Sequence, residues 1–283
     1  MSDAWASFPG DASIRQGDVV KKVGPVDQVV NEYAVILTAD CDIAQKKSNN
    51  RMTLIRAVPI NEFVGSYWAS WELEKLVEKQ LRAVTPFFSA CAGKIDPSLR
   101  ALTDARLLAW VRSDSPDEIF DVLGVMPTKH AKEFAALSAL KGYVVFLEDQ
   151  QDRDGLAALS RAYVTLGRSL SDIRDRVREA LTTNSGFQDY LIIPNCPDNL
   201  QDGLAILMRE VFTIPAEDIL QSEYQARVQD RINCFARIGR LRDRVKYAVT
   251  QRIAFVFSRI GMEAAYEDSC QTLADLIALE ALQ

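Results

Sequence analysis

A single histidine, His130, in 283 residues sets the first limit on chemistry. Paired-histidine metal sites and Ser–His–Asp chemistry with spare partners are nearly excluded, so any catalysis is expected to lean on carboxylates, arginine, lysine, tyrosine or cysteine. The five cysteines (Cys41, Cys91, Cys196, Cys234 and Cys270) are odd in number and show no Cys-x-x-Cys spacing. That argues against a zinc site or a disulfide framework and for reduced thiols in a cytoplasmic setting. The longest apolar runs fall short of the roughly 18 residues a bilayer span needs. Met1 to Gly10 does not pair a basic region with an apolar one, so neither a membrane partner nor a secretion signal is expected. The Gly-rich phosphate loops and the Gly-x-Ser-x-Gly elbow are missing too, which speaks against nucleotide hydrolysis and serine-hydrolase chemistry.

What is there is an ordinary globular composition, 48% hydrophobic and 25% charged with a net charge of −6. It fits one large domain or two small ones and rules out disorder as a global description. The charge is unevenly placed. Between Gln221 and Ile260 stand nine basic and three acidic residues, a segment of +6 on a remainder of −12. A basic segment on an acidic body points to an anionic partner or to an acidic neighbour within the protein.

Hydrophobic period divides the chain. Asp18 to Val23, Tyr33 to Thr38 and Met52 to Val58 read as strands. From Val64 to Val84 the period changes to 3.6, with Glu78 and Arg82 four apart. A helix is expected from Pro97 to about Arg112, a short one from the capping box at Ser115 to Glu118, and another from Thr128 to Gly142. Strand character is then expected at Tyr143 to Leu147, Ala162 to Leu166, Tyr190 to Ile193 and Leu204 to Ile214, with a helix at Ser171 to Leu181. Everything after Ala216 reads as helical: an apolar stripe from Ile238 to Ile260, then a last helix from Ala264 to Leu279. The assembly this predicts is α+β. Residues 14–62 and 143–215 form one small β-barrel-like core, 63–142 a helical insertion, and 216–283 a C-terminal helical region.

Three features could carry chemistry. Thr38-Ala39-Asp40-Cys41-Asp42 follows a buried strand. Asp40 and Asp42 could hold a divalent metal through oxygen ligands, or act as nucleophile and general acid in phosphoryl transfer. They could equally be turn residues bonding nearby backbone N–H groups. If strand alternation persisted, both would face one side and Cys41 would pack in the core. Gln16-Gly17-Asp18 gives a tight entry to the first strand. Arg237, Arg240, Arg244 and Arg252 lie mostly off the apolar stripe. On one helix they could meet nucleic-acid phosphates, or pair with the acidic body or a protein partner. His130, beside Lys129 and Lys132, reads as a solvated or capping residue.

Two resemblances follow from these residues. Gly17-Asp18-Val19-Val20, Val35-Ile36-Leu37 and Leu54-Ile55-Arg56-Ala57-Val58-Pro59-Ile60 resemble the opening of the MazF/Kid-type toxin barrel. That likeness, over residues 15–60, implies an SH3-like barrel and, in that family, cleavage of single-stranded RNA. Gln16 stands where those toxins usually carry Arg, so the barrel is implied before the ribonuclease. Gln16-Gly17-Asp18, Thr38 to Asp42, Arg209 to Pro215 and Arg240 to Gly261 resemble a bacterial family of mobile-element and defence-type loci, which brings no activity with it. The expectation is a non-catalytic accessory component that binds a protein encoded nearby. The alternative is a nuclease, either metal-dependent through Asp40 and Asp42 or of the toxin type.

Overall fold

The computed structural model describes residues 4–25, 30–96, 102–149, 154–182, 189–197, 203–258 and 269. The expected helix start at Pro97-Ser98 and the expected last helix from Ala264 to Leu279, with Cys270, lie outside them, apart from residue 269, which is helical. The chain divides into two compact units: Met1–Val58 with Ser185–Gln283, and Pro59–Asn184.

The first unit is built on seven strands: β1 (Asp18–Val23), β2 (Tyr33–Ile36), β3 (Arg51–Pro59), β4 (Tyr190–Ile193), β5 (Leu204–Pro215), β6 (Ile219–Leu220) and β7 (Cys234–Arg240). Their order across the sheet is β4-β5-β3-β2-β1-β7-β6. Neighbours are antiparallel in β1·β2, β1·β7, β2·β3 and β4·β5, and parallel in β6·β7. A bulge between Val19 and Val20 shifts the β1·β7 register. Alternation along the strands gives two apolar faces. Val19, Val35, Ile55, Ile206 and Met208 pack with Val249 and Val256 of the Asp243–Ser258 helix and with Trp5. Val20, Ala34, Ile36, Leu54 and Phe235 face the other way, joined by Phe212 and Ile214.

The expected closed barrel is not formed: the sheet is open, with β4 and β6 at its edges. The β6 edge is nonetheless joined through the chain to β5, the strand beside the opposite edge. β5 passes through one 3₁₀ turn, Ala216–Asp218, directly into β6 on the far side of the sheet. This curls the second face inward, and the rings of Phe212 and Phe235 come within 6.2 Å.

The second unit is helical. A continuous helix runs from Ile60 through a π-helical stretch, Phe63–Trp68, to Ile95. It is followed by Asp104–Ser113, Pro116–Val122, Ala131–Glu148, Gly155–Thr165 and Leu170–Thr182. The capping box of Ser115 and Glu118 is present. Phe88, Leu107, Phe120 and Leu137 are fully buried.

Three expectations are corrected. Tyr143 to Leu147 lies in the Ala131–Glu148 helix, which continues through Gly142, and Ala162 to Leu166 lies at the end of the Gly155–Thr165 helix. Short apolar runs look the same in a buried strand and a buried helix, and the alanine- and leucine-rich flanks here decide for helix. The described residues between 143 and 182 therefore belong with the helices rather than the sheet. After Ala216 the chain is not all helical, since β6 and β7 intervene and Ile238 sits on β7. Among the described residues, no helix is long and apolar enough to cross a membrane.

Candidate functional site

The two short motifs meet. Gly17 sits at φ +83°, a conformation glycine adopts without steric cost, and its N–H donates to the Ile36 carbonyl at 2.9 Å. A Cβ at this position would stand 3.0 Å from both Cγ and Cδ of Lys246, so the lysine stem passes over Gly17 only because nothing projects from it. This turn sets Asp18 at the start of β1, opposite Arg240 on β7.

Asp18 is fully buried. It accepts hydrogen bonds from Arg240 Nε (2.5 Å) and Nη2 (3.0 Å) and from the Arg15 backbone N–H (2.9 Å), and Arg237 Nη1 lies 3.5 Å away. A lone buried carboxylate would cost several kcal/mol, so a cation beside it is required, and here two guanidinium groups stand there. The hydrogen bond from Arg240 to Asp18 raises the Arg240 pKa against the opposing effect of burial, with the charges of Asp18 and Asp40 adding to the rise. Arg237 also donates to the carbonyls of Gly10 and Ala12, and Arg240 to that of Ser13. Both guanidinium groups lie over the Phe8 ring, at 4.5 and 5.0 Å from its centroid.

Asp40 is held next to this knot. It opens a one-turn helix, Asp40–Ala44, and its Oδ1 accepts the Gln16 N–H at 2.8 Å. Its Oδ2 lies 3.6 Å from Lys246 Nζ, which is 3.0 Å from Asp243. Burial pulls the Lys246 pKa down, but the Asp243 hydrogen bond and charge, with Asp40 and Tyr247, outweigh it and the net shift is upward. Gln16 Nε2 donates to the Leu37 carbonyl, and Thr38 Oγ1 accepts from the Thr53 N–H.

The expected carboxylate pair does not converge. Asp40 and Asp42 lie on a helical turn rather than a strand, and residues two apart on a helix do not share a face. Cys41 is exposed rather than packed in the core, and its Sγ donates to Asp42 Oδ1 at 3.6 Å. Among the described residues, no group of three or more His, Cys, Asp or Glu side chains is placed to hold a metal ion.

The four arginines do not share one helical face either. Arg237 and Arg240 are on β7 and turned into the Asp18 knot, while Arg244 and Arg252 are on the Asp243–Ser258 helix. Arg252 donates to the Tyr190 carbonyl at 3.0 Å. Sequence reasoning missed Lys246 and Phe8. Lys246 had a signal, as a cation seven residues before Ile253 on the apolar stripe, where a charge needs a partner. Phe8 had none. No family model, curated protein or solved structure matches this chain.

Proposed function

We propose that this chain is a non-catalytic, partner-binding accessory component of a bacterial mobile-element or anti-phage defence system, acting in the cytoplasm beside a protein encoded nearby. One observation carries the non-catalytic part: the side chains best suited to chemistry are engaged with one another. Asp18 is matched by Arg237 and Arg240, and Asp40 by the Gln16 N–H and Lys246. Such an interlock fastens β1, β7 and the Asp243–Ser258 helix together, which suits a scaffold for recognition. The defence context comes from the resemblance of the Gln16-Gly17-Asp18 and Thr38–Asp42 segments. The passage of β5 into β6 favours reading the curled sheet as a small roll of SH3-like type.

The test is reconstitution. The tagged full chain and the purified product of a neighbouring gene should form a stoichiometric complex that survives Asp40→Asn and Asp42→Asn. A complex with no adjacent gene product would overturn the reading.

The nuclease reading keeps one observation in its favour. The Asp40 side chain retains 45% exposure beside the Lys246 ammonium, a carboxylate–ammonium pair within reach of solvent. Cleavage of single-stranded RNA or DNA with added magnesium or manganese, abolished by Asp40→Asn, would establish it in place of the first.

A further inference from the structure

The inward face of the curled sheet changes character along its strands. Around Val20, Ala34, Leu54 and Phe235 it is apolar and buried. One same-face step further along β1 and β3, and at the residue before β2, the side chains are Lys22, Arg56 and Glu32. Lys22 pairs with Glu32 at 3.0 Å, and Arg56 with Glu210 of β5 at 3.4 Å. Phe212 and Phe235 meet at an interplanar angle of 42°. These six side chains line a cavity of about 560 Å³ at one end of this face, within the roughly 300–1,000 Å³ usual for ligand sites.

The lining selects among ligands. Read across β5, β3, the residue before β2, and β1, the charges alternate as Glu210, Arg56, Glu32 and Lys22. A nucleic acid laid here would meet two carboxylates for every two cations, and a uniformly basic ligand would meet the reverse. Both ion pairs are partly open to water, where such pairs contribute little, so their atoms can turn to a ligand at small cost. Aromatic rings inside a charged rim reproduce the anatomy of a protein-recognition pocket, in which an apolar anchor is buried and the rim supplies polar specificity. We infer that this cavity holds a peptide segment of a protein partner, its large apolar side chain seated on Phe212 and Phe235, with a basic residue meeting Glu32 or Glu210 and an acidic one meeting Lys22 or Arg56. The inference rests on the partner-binding reading and names where that partner is held.

The full chain is panned against a phage-displayed library of random 12-residue peptides, and the most enriched peptide is synthesised for titration. The expected result is a shared motif of one aromatic or long aliphatic residue flanked by opposite charges. Binding should weaken at least tenfold in Arg56→Glu and in Phe212→Ala. Arg56 is half-exposed, so Arg56→Glu keeps the test valid even if Phe212→Ala fails to fold. Absence of a shared motif, unchanged affinity in Arg56→Glu, or displacement of the peptide by a single-stranded 12-nucleotide RNA would overturn it. If the neighbouring gene product still binds the Arg56→Glu chain with full affinity, the cavity is not the docking point and the partner-binding reading stands without it.

Discussion

Arg240 grips Asp18 with two hydrogen bonds, Nε to Oδ1 and Nη2 to Oδ2, across 222 positions of sequence. The pair joins the first strand of the sheet to β7, with Arg237 as a second cation on the same carboxylate. Removing one member of a buried ion cluster leaves the others without compensation, at a cost of about 3–5 kcal/mol. Asp18→Asn should therefore lower stability by that order, read as a fall in the urea midpoint and as faster amide exchange in β1 and β7. Replacing Asp18 by Leu and Arg240 by Met together should recover much of the loss, because a matched apolar pair strands a smaller charge. A loss under about 1 kcal/mol for Asp18→Asn would show that the cluster is not an electrostatic keystone.

Gly17→Ala tests the neighbouring turn. A side chain at φ +83° is strained by about 1–2 kcal/mol, and here the new methyl also meets the Lys246 stem. Shortening the lysine in Gly17→Ala/Lys246→Ala removes the two 3.0 Å contacts with Cγ and Cδ and leaves the Lys246 Cβ at 3.2 Å and the backbone part. A double-mutant cycle on urea midpoints should therefore give a coupling of about 0.5 kcal/mol or more. Additivity within error would mean that the close approach carries no energy.

Strands were legible where their apolar runs are short and bounded by turn formers: Asp18–Val23 and Tyr190–Ile193 lie where periodicity puts them. The capping box at Ser115 was legible because it is a local hydrogen-bond pattern. What failed was non-local. Tyr143 to Leu147 has strand composition, and packing among helices overrides it. Arg237 and Arg240 look like surface cations until β1 brings a buried carboxylate to them. Asp40 and Asp42 look like a pair until the chain coils at residue 40 and turns them apart. For the first two the deciding partner lies far off in sequence, where period and composition carry no information; for Asp40 and Asp42 a single helical turn is too short to leave a period.

The placement of Asp40 predicts its behaviour with metals. With Oδ1 on the Gln16 N–H and Oδ2 near Lys246, the carboxylate has already lost much of its capacity for a cation, and Asp42 points elsewhere. Calorimetric titration with magnesium, manganese or calcium should give no heat that Asp40→Ala removes. The same substitution should cost about 1–2 kcal/mol of stability through loss of the Gln16 bond and the lysine contact. Metal binding of micromolar affinity that vanishes in Asp40→Ala would reverse the assignment.

Lys246 gives the alkaline limit of the knot. Its folded pKa stands above the ordinary 10.5, because the Asp243 hydrogen bond and charge, aided by Asp40 and Tyr247, more than offset the downward pull of burial. A cation whose pKa is raised on folding contributes stability that is fully present below the unfolded value and is lost as pH rises through the folded one. The contribution should therefore be constant from neutral pH to about 10 and decline above about 10.5. Tyr143, raised by burial and by the charges of Glu74 and Glu78, adds a slope of the same sign in the helical unit. The test is thus a comparison. Between pH 9.5 and 11.5 the amide-exchange protection of β1 and the Asp243–Ser258 helix should fall more steeply in the parent chain than in Lys246→Met. Protection in the Pro116–Val122 helix should fall alike in both. Equal slopes in β1 would mean that the ammonium is not coupled to the fold through Asp40 and Asp243.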